Sequence, residues 1–346
     1  MHQLIRTLEL HDRSRFEIYA YSFGPPVEDA LSARVKSAVD VFRDVRALSG
    51  WEIARLAQSD GIAIAIDLMG YTRGGRPEIF ARRAAPTQIS WLGYPGTLGA
   101  PFMDYLIADR ILIPEASARH YCEKILYLPH SHMATDNTKA ISARPVTRGE
   151  MGLPDNGFVF CCFNASYKIG PWDFDLWMRL LSQVPDSVLW LVRSNESVER
   201  NLQQEAAKRG VGPERLVFAG RVPMAEHLAR HRLADLFLDT LHYTGHATAA
   251  DALWAGLPLV AKLGEDFAAR VAAGLLHAIG LPELVADTVE DYERIALELA
   301  RDPKKLAAVK AKLEQRRLSA PLFDSQGFVR DLEDAYLKAH AQVRVR

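Results

Sequence analysis

The chain has 346 residues, of which 49% are hydrophobic and 25% charged, and its formal net charge is −1. This balance is typical of globular proteins and differs from that of disordered or membrane-spanning chains. A net charge this close to zero argues against a nucleic acid as partner, because binding a phosphate backbone needs an excess of Lys and Arg. No basic run suggests binding to a membrane surface. The length exceeds that at which one core usually stops growing, so we expect two globular units.

Cysteine is scarce, and the adjacent pair Cys161 and Cys162 stands inside an apolar run, as small buried hydrophobes do. Scarce cysteines of this kind are expected in a protein of the reducing cytoplasm. No apolar stretch reaches the roughly 18 residues of a membrane span, and the N-terminus lacks a signal-peptide pattern. Residues 1–10 resemble the middle of an amphipathic helix without an N-cap, so we expect further sequence upstream.

Short β-rich runs alternate with helical stretches along the chain, which predicts parallel sheets covered by helices. In chain order, the predicted strands are 16–22, 61–68, 88–92, 124–128, 158–163, 187–193, 216–219 and 257–262. The predicted helices are 173–183, 196–209, 225–238, 247–255, 291–301, 303–317 and 328–340.

A polar stretch without helical or strand periodicity, 133–157, marks the expected boundary between a first lobe, 1–140, and a second, 150–325. In open α/β sheets, ligands bind beyond the carboxyl ends of the strands. We therefore expect the functional residues in strand-to-helix loops that face a cleft between the two lobes.

Residues 245–251 (GHATAAD) begin with Gly245 and lead directly into a predicted helix. The first turn of a helix leaves N–H groups unpaired and carries a partial positive charge, so it suits a diphosphate. His246 and Thr248 add side-chain donors, and Asp251 could accept from ribose hydroxyls. An ordinary helix with polar caps also fits this segment and is the commoner case.

Residues 164–168 (NASYK) follow the apolar run FVFCCF, so Lys168 should project from the carboxyl end of a strand. A lysine there suits a phosphate group, and its ammonium would stabilise charge on a departing nucleoside diphosphate. The alternative is a solvated loop lysine. His227 and Arg230 share one helical face and could contact a base, although an ordinary surface pair has the same spacing.

Residues 91–100 (WLGYPGTLGA) place three glycines and a proline after a strand, where backbone can approach a ligand closely. A tight structural turn would need similar residues. Residues 70–75 (GYTRGG) are a weaker case of the same kind. Asp173 and Asp175 match an acidic metal-binding pair in form, but they stand at a predicted helix start, where acidic side chains complement the helix dipole. Motifs of hydrolases, NTPases and dehydrogenases are missing from the sequence.

Together these segments resemble, in order and over nearly the whole chain, the catalytic region of the O-GlcNAc transferase and SPINDLY family. The matching segments are 91–105, Tyr121, 123–124, 128–130, 163–164, 167–168, Pro185, 187–191, 233–235, 238–240, 245–246, Asp251, 253–256, 264–265 and 270–272.

The resemblance implies an α/β fold of the GT-B type, in which two Rossmann-like doubly wound domains face a cleft. The last helix, 326–346, would return to the first lobe. Family members are inverting, metal-independent enzymes that transfer a sugar from a nucleoside diphosphate to Ser or Thr hydroxyls of proteins. No cofactor or metal is expected; the partners would be UDP-GlcNAc or a related nucleotide sugar and a protein acceptor.

On the family pattern, Lys168 is the residue that stabilises the diphosphate. The residues assigned to the nucleotide sugar are His227, Arg230, Gly245, His246, Thr248, Asp251, Asn164, Leu92 and Gly93. The acceptor-side candidates are Tyr94, Pro95 and His130.

The sequence departs from the family at several positions. A His-Pro segment of the family would fall before Met1, and His2 matches a later position. Ala63 replaces a second histidine, Met224 a nucleotide-contacting lysine, Ala165 a glutamine and Ala247 a phosphate-binding threonine. The family's N-terminal tetratricopeptide repeats are not in this sequence. Two alternatives therefore stay open: a transferase that uses GDP-fucose or UDP-glucose, and a truncated copy that binds a nucleotide sugar or a partner without catalysis.

Overall fold

The computed structural model describes residues 1–343. The chain divides into two compact units, one built from Met1–Asn137 with the chain from Pro321 onward, the other from Thr138–Ala320. The corresponding limits expected from the sequence were 1–140, 150–325 and 326–346. Within residues 1–343, no helix is both long enough and apolar enough to span a membrane.

The first unit contains two parallel sheets. The smaller pairs β1 with β2, and the larger has the order β3-β4-β5-β6. The strands are β1 (Tyr19–Ser22), β2 (Val41–Asp44), β3 (Ile64–Asp67), β4 (Thr87–Ser90), β5 (Tyr105–Ala108) and β6 (Lys124–Tyr127). Every residue of β4 and β5 is buried, as expected for central strands of a parallel sheet.

The helices of the first unit are α1 (Ile5–Leu10), α2 (Ala30–Ser37), α3 (Gly50–Ser59), α4 (Glu78–Ala81) and, from the far end of the chain, α12 (Ser325–Val343). Leu332 and Tyr336 of α12 share one core with Leu4 and with Ile89 of β4. The buried Glu333 carboxylate accepts from His11 Nδ1 at 3.0 Å. Helix α12 therefore completes the core of the first unit.

The second unit has one parallel sheet of six strands in the order β12-β11-β10-β7-β8-β9. The strands are β7 (Val159–Cys162), β8 (Val188–Val192), β9 (Leu216–Ala219), β10 (Leu236–Leu238), β11 (Leu259–Lys262) and β12 (Val285–Ala286). Chain order runs outward from β7 to β9 in one direction and from β10 to β12 in the other. This is the strand order of a Rossmann sheet, and the order reverses between β7 and β10.

Seven helices connect and follow these strands. They are α5 (Pro171–Gln183), α6 (Glu196–Lys208), α7 (Met224–Arg230), α8 (Ala247–Trp254), α9 (Phe267–Ile279), α10 (Val289–Arg301) and α11 (Pro303–Arg317). Side chains cap several of them: Asn195 accepts from Val198 N at 3.0 Å, and Asp266 accepts from Ala269 N at 2.9 Å.

The predicted single helix 225–238 is wrong. Helix α7 ends at Arg230, a 3₁₀ turn follows at His231–Leu233, and Leu236–Leu238 form β10. Asp235 accepts from Val159 N at 2.9 Å, and β10 pairs with both β7 and β11. Pairing in the middle of the sheet therefore overrides the local helical tendency of this segment.

Candidate functional site

The carboxyl ends of β7 and β10 lie side by side in the second unit, because these strands pair at the reversal of the sheet. Asn164 stands just after β7, and Asp239 follows β10 directly. Ligands of open α/β sheets bind at such a switch point. Lys168 and the segment that leads into α8 follow these same two strands.

Asp239 organises the loop between β10 and α8. Its side chain is fully buried, and Oδ1 accepts from Thr240 N at 2.9 Å and from Gly245 N at 2.7 Å. Oδ1 also accepts from Asn164 Nδ2 at 2.8 Å. Burial raises the pKa of Asp239 to about 6, against the opposing effect of these hydrogen bonds. Within residues 1–343, its other oxygen, Oδ2, has no hydrogen-bond partner.

Asn164 connects the two strand ends to α8. Nδ2 donates to Asp239 and, at 2.8 Å, to Thr240 Oγ1, while Oδ1 accepts from the Thr248 hydroxyl. The side chain is only 1% exposed. Its polar atoms are thus used within the protein, so Asn164 holds Thr248 and the loop in place in this structure.

Lys168 ends a 3₁₀ turn at Ser166–Lys168 and reaches the same loop. Its Nζ donates to Thr244 O at 2.8 Å and lies 3.8 Å from the centroid of the Tyr243 ring. Burial lowers the pKa of Lys168, and the charge of Asp239 opposes that shift. The ammonium therefore stands next to the N-terminal approach of α8, where an anion would be stabilised.

Helix α8 begins at Ala247, with His246 at its N-cap. Gly245 is packed so closely that an added Cβ would lie 2.9 Å from Thr248 Oγ1 and 3.1 Å from Ala249 Cβ. His246 Nε2 lies 3.4 Å from Ala268 O. The predicted anion-binding segment thus forms a tight turn into a helix N-terminus.

Asp251 lies one turn farther along α8 and is buried. Its Oδ1 accepts from Lys139 Nζ at 2.6 Å, within the second unit. The residue predicted to contact ribose therefore already holds a lysine that no sequence pattern indicated.

His227 and Arg230 lie together on α7, as their spacing predicted. Arg230 Nη2 lies 2.6 Å from His227 Nδ1, and Nη1 donates to Gly220 O at 2.6 Å. The guanidinium lies over Phe163, 4.7 Å from the ring centroid, and Arg230 is only 3% exposed. Burial lowers the pKa of His227 to about 3, so the imidazole is neutral. Arg230 holds His227 in place, and His227 is the more accessible of the two.

The glycine-rich loop 91–100 belongs to the first unit. Leu92 adopts a positive φ of 71°, and a Cβ on Gly93 would overlap the backbone carbonyl of Leu68. Tyr94 packs edge-on against Tyr71, with ring centroids 5.4 Å apart. The loop is therefore held tightly against the end of β3.

The two remaining candidates of the first unit differ in exposure. Pro95 is half-buried in the same loop, whereas His130 is exposed after β6. Glu123, which is buried, fixes the loop by accepting from Thr97 Oγ1 at 2.5 Å and from Leu98 N at 2.7 Å.

The acidic pair near residue 173 has a structural role. Asp173 lies in the first turn of α5 and accepts from Gly170 N at 2.8 Å and Leu241 N at 2.6 Å. Asp175 forms an ion pair with Arg209 at 2.5 Å. This geometry is that of acidic residues in the first turns of a helix, as the sequence indicated for Asp173 and Asp175.

Neither Asp239 nor Lys139 was predicted as a site residue. Asp239 had a detectable signal, because it directly follows an apolar run and precedes a glycine-led helix. Lys139 had none, because it stands in the polar segment 133–157 and meets Asp251 only through the fold.

The sequence of the chain matches the profile of Glycosyl transferase family 41 over residues 1–144 and 137–332. It is 38% identical, over 95% of its length, to the Arabidopsis thaliana protein described as probable UDP-N-acetylglucosamine–peptide N-acetylglucosaminyltransferase SEC. The chain spans only 34% of that relative.

Solved structures also resemble this chain. An O-GlcNAc transferase mutant of Thermobaculum terrenum superposes with a TM-score of 0.91 at 35% identity, covering 99% of this chain and 65% of that one. Anabaena HepE, solved with UDP and glucose, has the same fold at a TM-score of 0.60 and 15% identity, covering 96% of this chain and 95% of that one. The predicted α/β fold of the GT-B type is confirmed, and so is the family resemblance. The chain belongs to Glycosyl transferase family 41.

Proposed function

We propose that this chain transfers a sugar, GlcNAc from UDP-GlcNAc, to Ser or Thr hydroxyls of proteins, with inversion and without a metal ion. The observation that carries the proposal is the half-buried ammonium of Lys168, 2.8 Å from Thr244 O in the loop that leads into α8. A cation and a helix N-terminus together form a site for a diphosphate. Membership of family 41 and the similarity to peptide N-acetylglucosaminyltransferases support the choice of donor and acceptor.

The second unit supplies a separate element for each part of the donor. Lys168 and the first turn of α8 would bind the diphosphate, and Asp251 would accept from a ribose hydroxyl. The neutral His227, 5.4 Å from the Phe163 ring, would contact the base. Asn164 and Asp239 would act indirectly, by fixing the loop between β10 and α8.

The reaction needs charge stabilisation most at the leaving group. The acceptor oxygen attacks the anomeric carbon from the face opposite UDP and releases its proton to water, while the bond from that carbon to the diphosphate oxygen breaks and UDP leaves with the electron pair. Negative charge then grows on the departing phosphate, where Lys168 and the N–H groups of α8 would stabilise it. Lys168 and these N–H groups would stabilise the negative charge without a divalent cation. In the first unit, the loop around Tyr94 and Pro95, together with His130, would provide the acceptor side.

Calorimetric titration of UDP and GDP tests the donor site. We expect wild type to prefer UDP and Lys168→Ala to bind it about tenfold more weakly, because a charge-assisted contact is lost. Lys310→Ala is the matched control, since Lys310 also lies near a backbone carbonyl, Ala234 O at 3.5 Å. Equal UDP affinity in wild type and Lys168→Ala would refute the assignment.

Turnover is tested with radiolabelled UDP-GlcNAc and a cell lysate as acceptor. We expect Lys168→Ala to lower kcat about 10²–10³-fold. Release of label by β-elimination would identify Ser and Thr linkages, a β-linked product would establish inversion, and activity in EDTA would establish metal independence. Labelled GDP-fucose and UDP-glucose in parallel test the donor. Nucleotide binding with no transfer from any donor would favour the non-catalytic alternative.

A further inference from the structure

Lys139 is buried beside the residue proposed to read ribose. Its Nζ donates to Asp251 Oδ1 at 2.6 Å, and the two side chains are 9% and 8% exposed. A lysine so deeply buried costs free energy unless an acceptor compensates it, and removing one member of such a pair leaves the other charge uncompensated. The pair therefore fixes Asp251 far more strongly than a surface ion pair would.

The orientation of α8 puts this pair on the functional side of the helix. Thr248 and Asp251 are three residues apart and so share a helix face. The Thr248 hydroxyl donates to Asn164 at the switch point, which places that face toward the donor site. Since Oδ1 of Asp251 is taken by Lys139, Oδ2 is the oxygen left to accept from a ligand.

The backbone around Lys139 is also fixed. Lys139 O accepts from Trp254 Nε1 at 3.1 Å, and Ser142 N donates to Ala225 O at 3.0 Å. Trp254 lies on α8 and Ala225 on α7, so residues 139–142 link the two helices. The lysine is thus presented from a segment anchored at both helices.

We propose that Lys139 is a positioning residue for nucleotide recognition, which holds the Asp251 carboxylate so that Oδ2 accepts from a ribose hydroxyl of the bound nucleoside diphosphate. The inference rests on the proposed donor site and adds a residue to it. Lys139 itself touches no nucleotide in this scheme. Its effect is therefore confined to ligands that carry the hydroxyl.

The test compares UDP with 2′-deoxy-UDP and 3′-deoxy-UDP by calorimetry in wild type, Lys139→Met and Lys139→Arg. Wild type should bind the analogue that lacks the recognised hydroxyl about tenfold more weakly than UDP, the effect of losing a hydrogen bond to a charged group. Lys139→Met should bind UDP about tenfold more weakly and that analogue as wild type does. Lys139→Arg should keep most of the discrimination, because the guanidinium also donates to the carboxylate.

The matched control is Lys310→Met, which removes another lysine–aspartate pair of the second unit, Lys310 Nζ to Asp235 Oδ1 at 3.2 Å. Lys310→Met should leave the affinities for UDP and for both deoxy analogues unchanged. An unaltered UDP-to-analogue ratio in Lys139→Met would overturn the inference, and so would an equal loss for all ligands, which indicates a purely structural role. Wild-type binding of UDP without discrimination between the analogues would also overturn it. Wild type that fails to bind UDP would instead overturn the proposed function.

Discussion

A buried aspartate stands at the carboxyl end of one strand in each unit, and the two residues organise different loops. Asp67 ends β3, and its Oδ1 accepts from Met69 N at 2.8 Å and Gly70 N at 2.9 Å. Asp239 follows β10 and accepts from Thr240, Gly245 and Asn164. In both, the other carboxylate oxygen is buried without a hydrogen-bond partner within residues 1–343.

The two aspartates differ in the loop that each one begins. The loop after Asp239 approaches the ammonium of Lys168 and enters α8, so its turn builds an anion site. The loop after Asp67 packs against Tyr94, whose Cβ a side chain on Gly70 would overlap. A loop organised by an aspartate therefore forms an anion site in the second unit and packs against an aromatic side chain in the first.

Removing each carboxylate should give the largest effect. Asp239→Ala leaves three donors without their acceptor and should cost about 4 kcal/mol, whereas Asp67→Ala leaves two and should cost about 2–3 kcal/mol. Hydrogen exchange of peptides from β7 and β4 measures the opening free energy of each unit separately. Equal losses in the two units would contradict the comparison.

The charge of Asp239 predicts a pH dependence. Burial raises its pKa from the usual 3.8 to about 6, so its contribution to stability is present below pH 4 and is lost as pH rises through 6. Asp239→Asn keeps an acceptor oxygen without the charge. Relative to wild type, its unfolding free energy should rise by about 2 kcal/mol from pH 4 to pH 7.

Urea titrations at both pH values measure that difference, and other titrating groups cancel in the subtraction. Asp67→Asn serves as the control at the equivalent position. A wild-type-to-Asp239→Asn difference that stays constant with pH would show that the carboxyl does not titrate in this range.

Adding a methyl group to Gly93, which packs on the loop after Asp67, or to Gly245, in the loop after Asp239, should cost no more than removing the carboxylate of the same unit. A Cβ on Gly93 would meet backbone atoms of Leu68 and Met69, which cannot rotate away, so Gly93→Ala should cost about 2–3 kcal/mol. Gly245→Ala would press on the Thr248 hydroxyl and should cost about 1–2 kcal/mol. Thermal melting measures both changes, with Gly149→Ala as control because the space around it is open. A larger loss at Gly245 would reverse the ranking.

The positions of most strands along the chain followed from local patterns, whereas their order in the sheets did not. Apolar runs such as FVFCCF predicted β7 and the position of Lys168 after it, and Gly245 followed by a helical pattern predicted the segment into α8. β10 could not be predicted, because three residues are too few to show strand alternation and they follow α7 after only a short 3₁₀ turn. β2, β5 and the two-residue β12 were also missed, although other four-residue strands such as β1 and β3 were predicted.

The sequence indicated which residues belong to the candidate site more readily than it indicated which residues those side chains contact. Asn164 and Arg230 were predicted as nucleotide-sugar contacts, and in this structure Asn164 Nδ2 bonds to Asp239 and Thr240 while two Arg230 nitrogens contact His227 and Gly220. Such internal use depends on residues distant in sequence, which one chain read locally does not reveal.

The reversal of strand order between β7 and β10 also affects how the site is assembled. Asn164 and Asp239 are 75 positions apart, so their contact closes a long loop that contains β8 and β9. Contacts of large sequence separation carry a loop-closure cost and slow folding. An intermediate in which only β7, β8 and β9 have paired lacks the site, and a ligand that binds there stabilises only molecules in which β10 has docked.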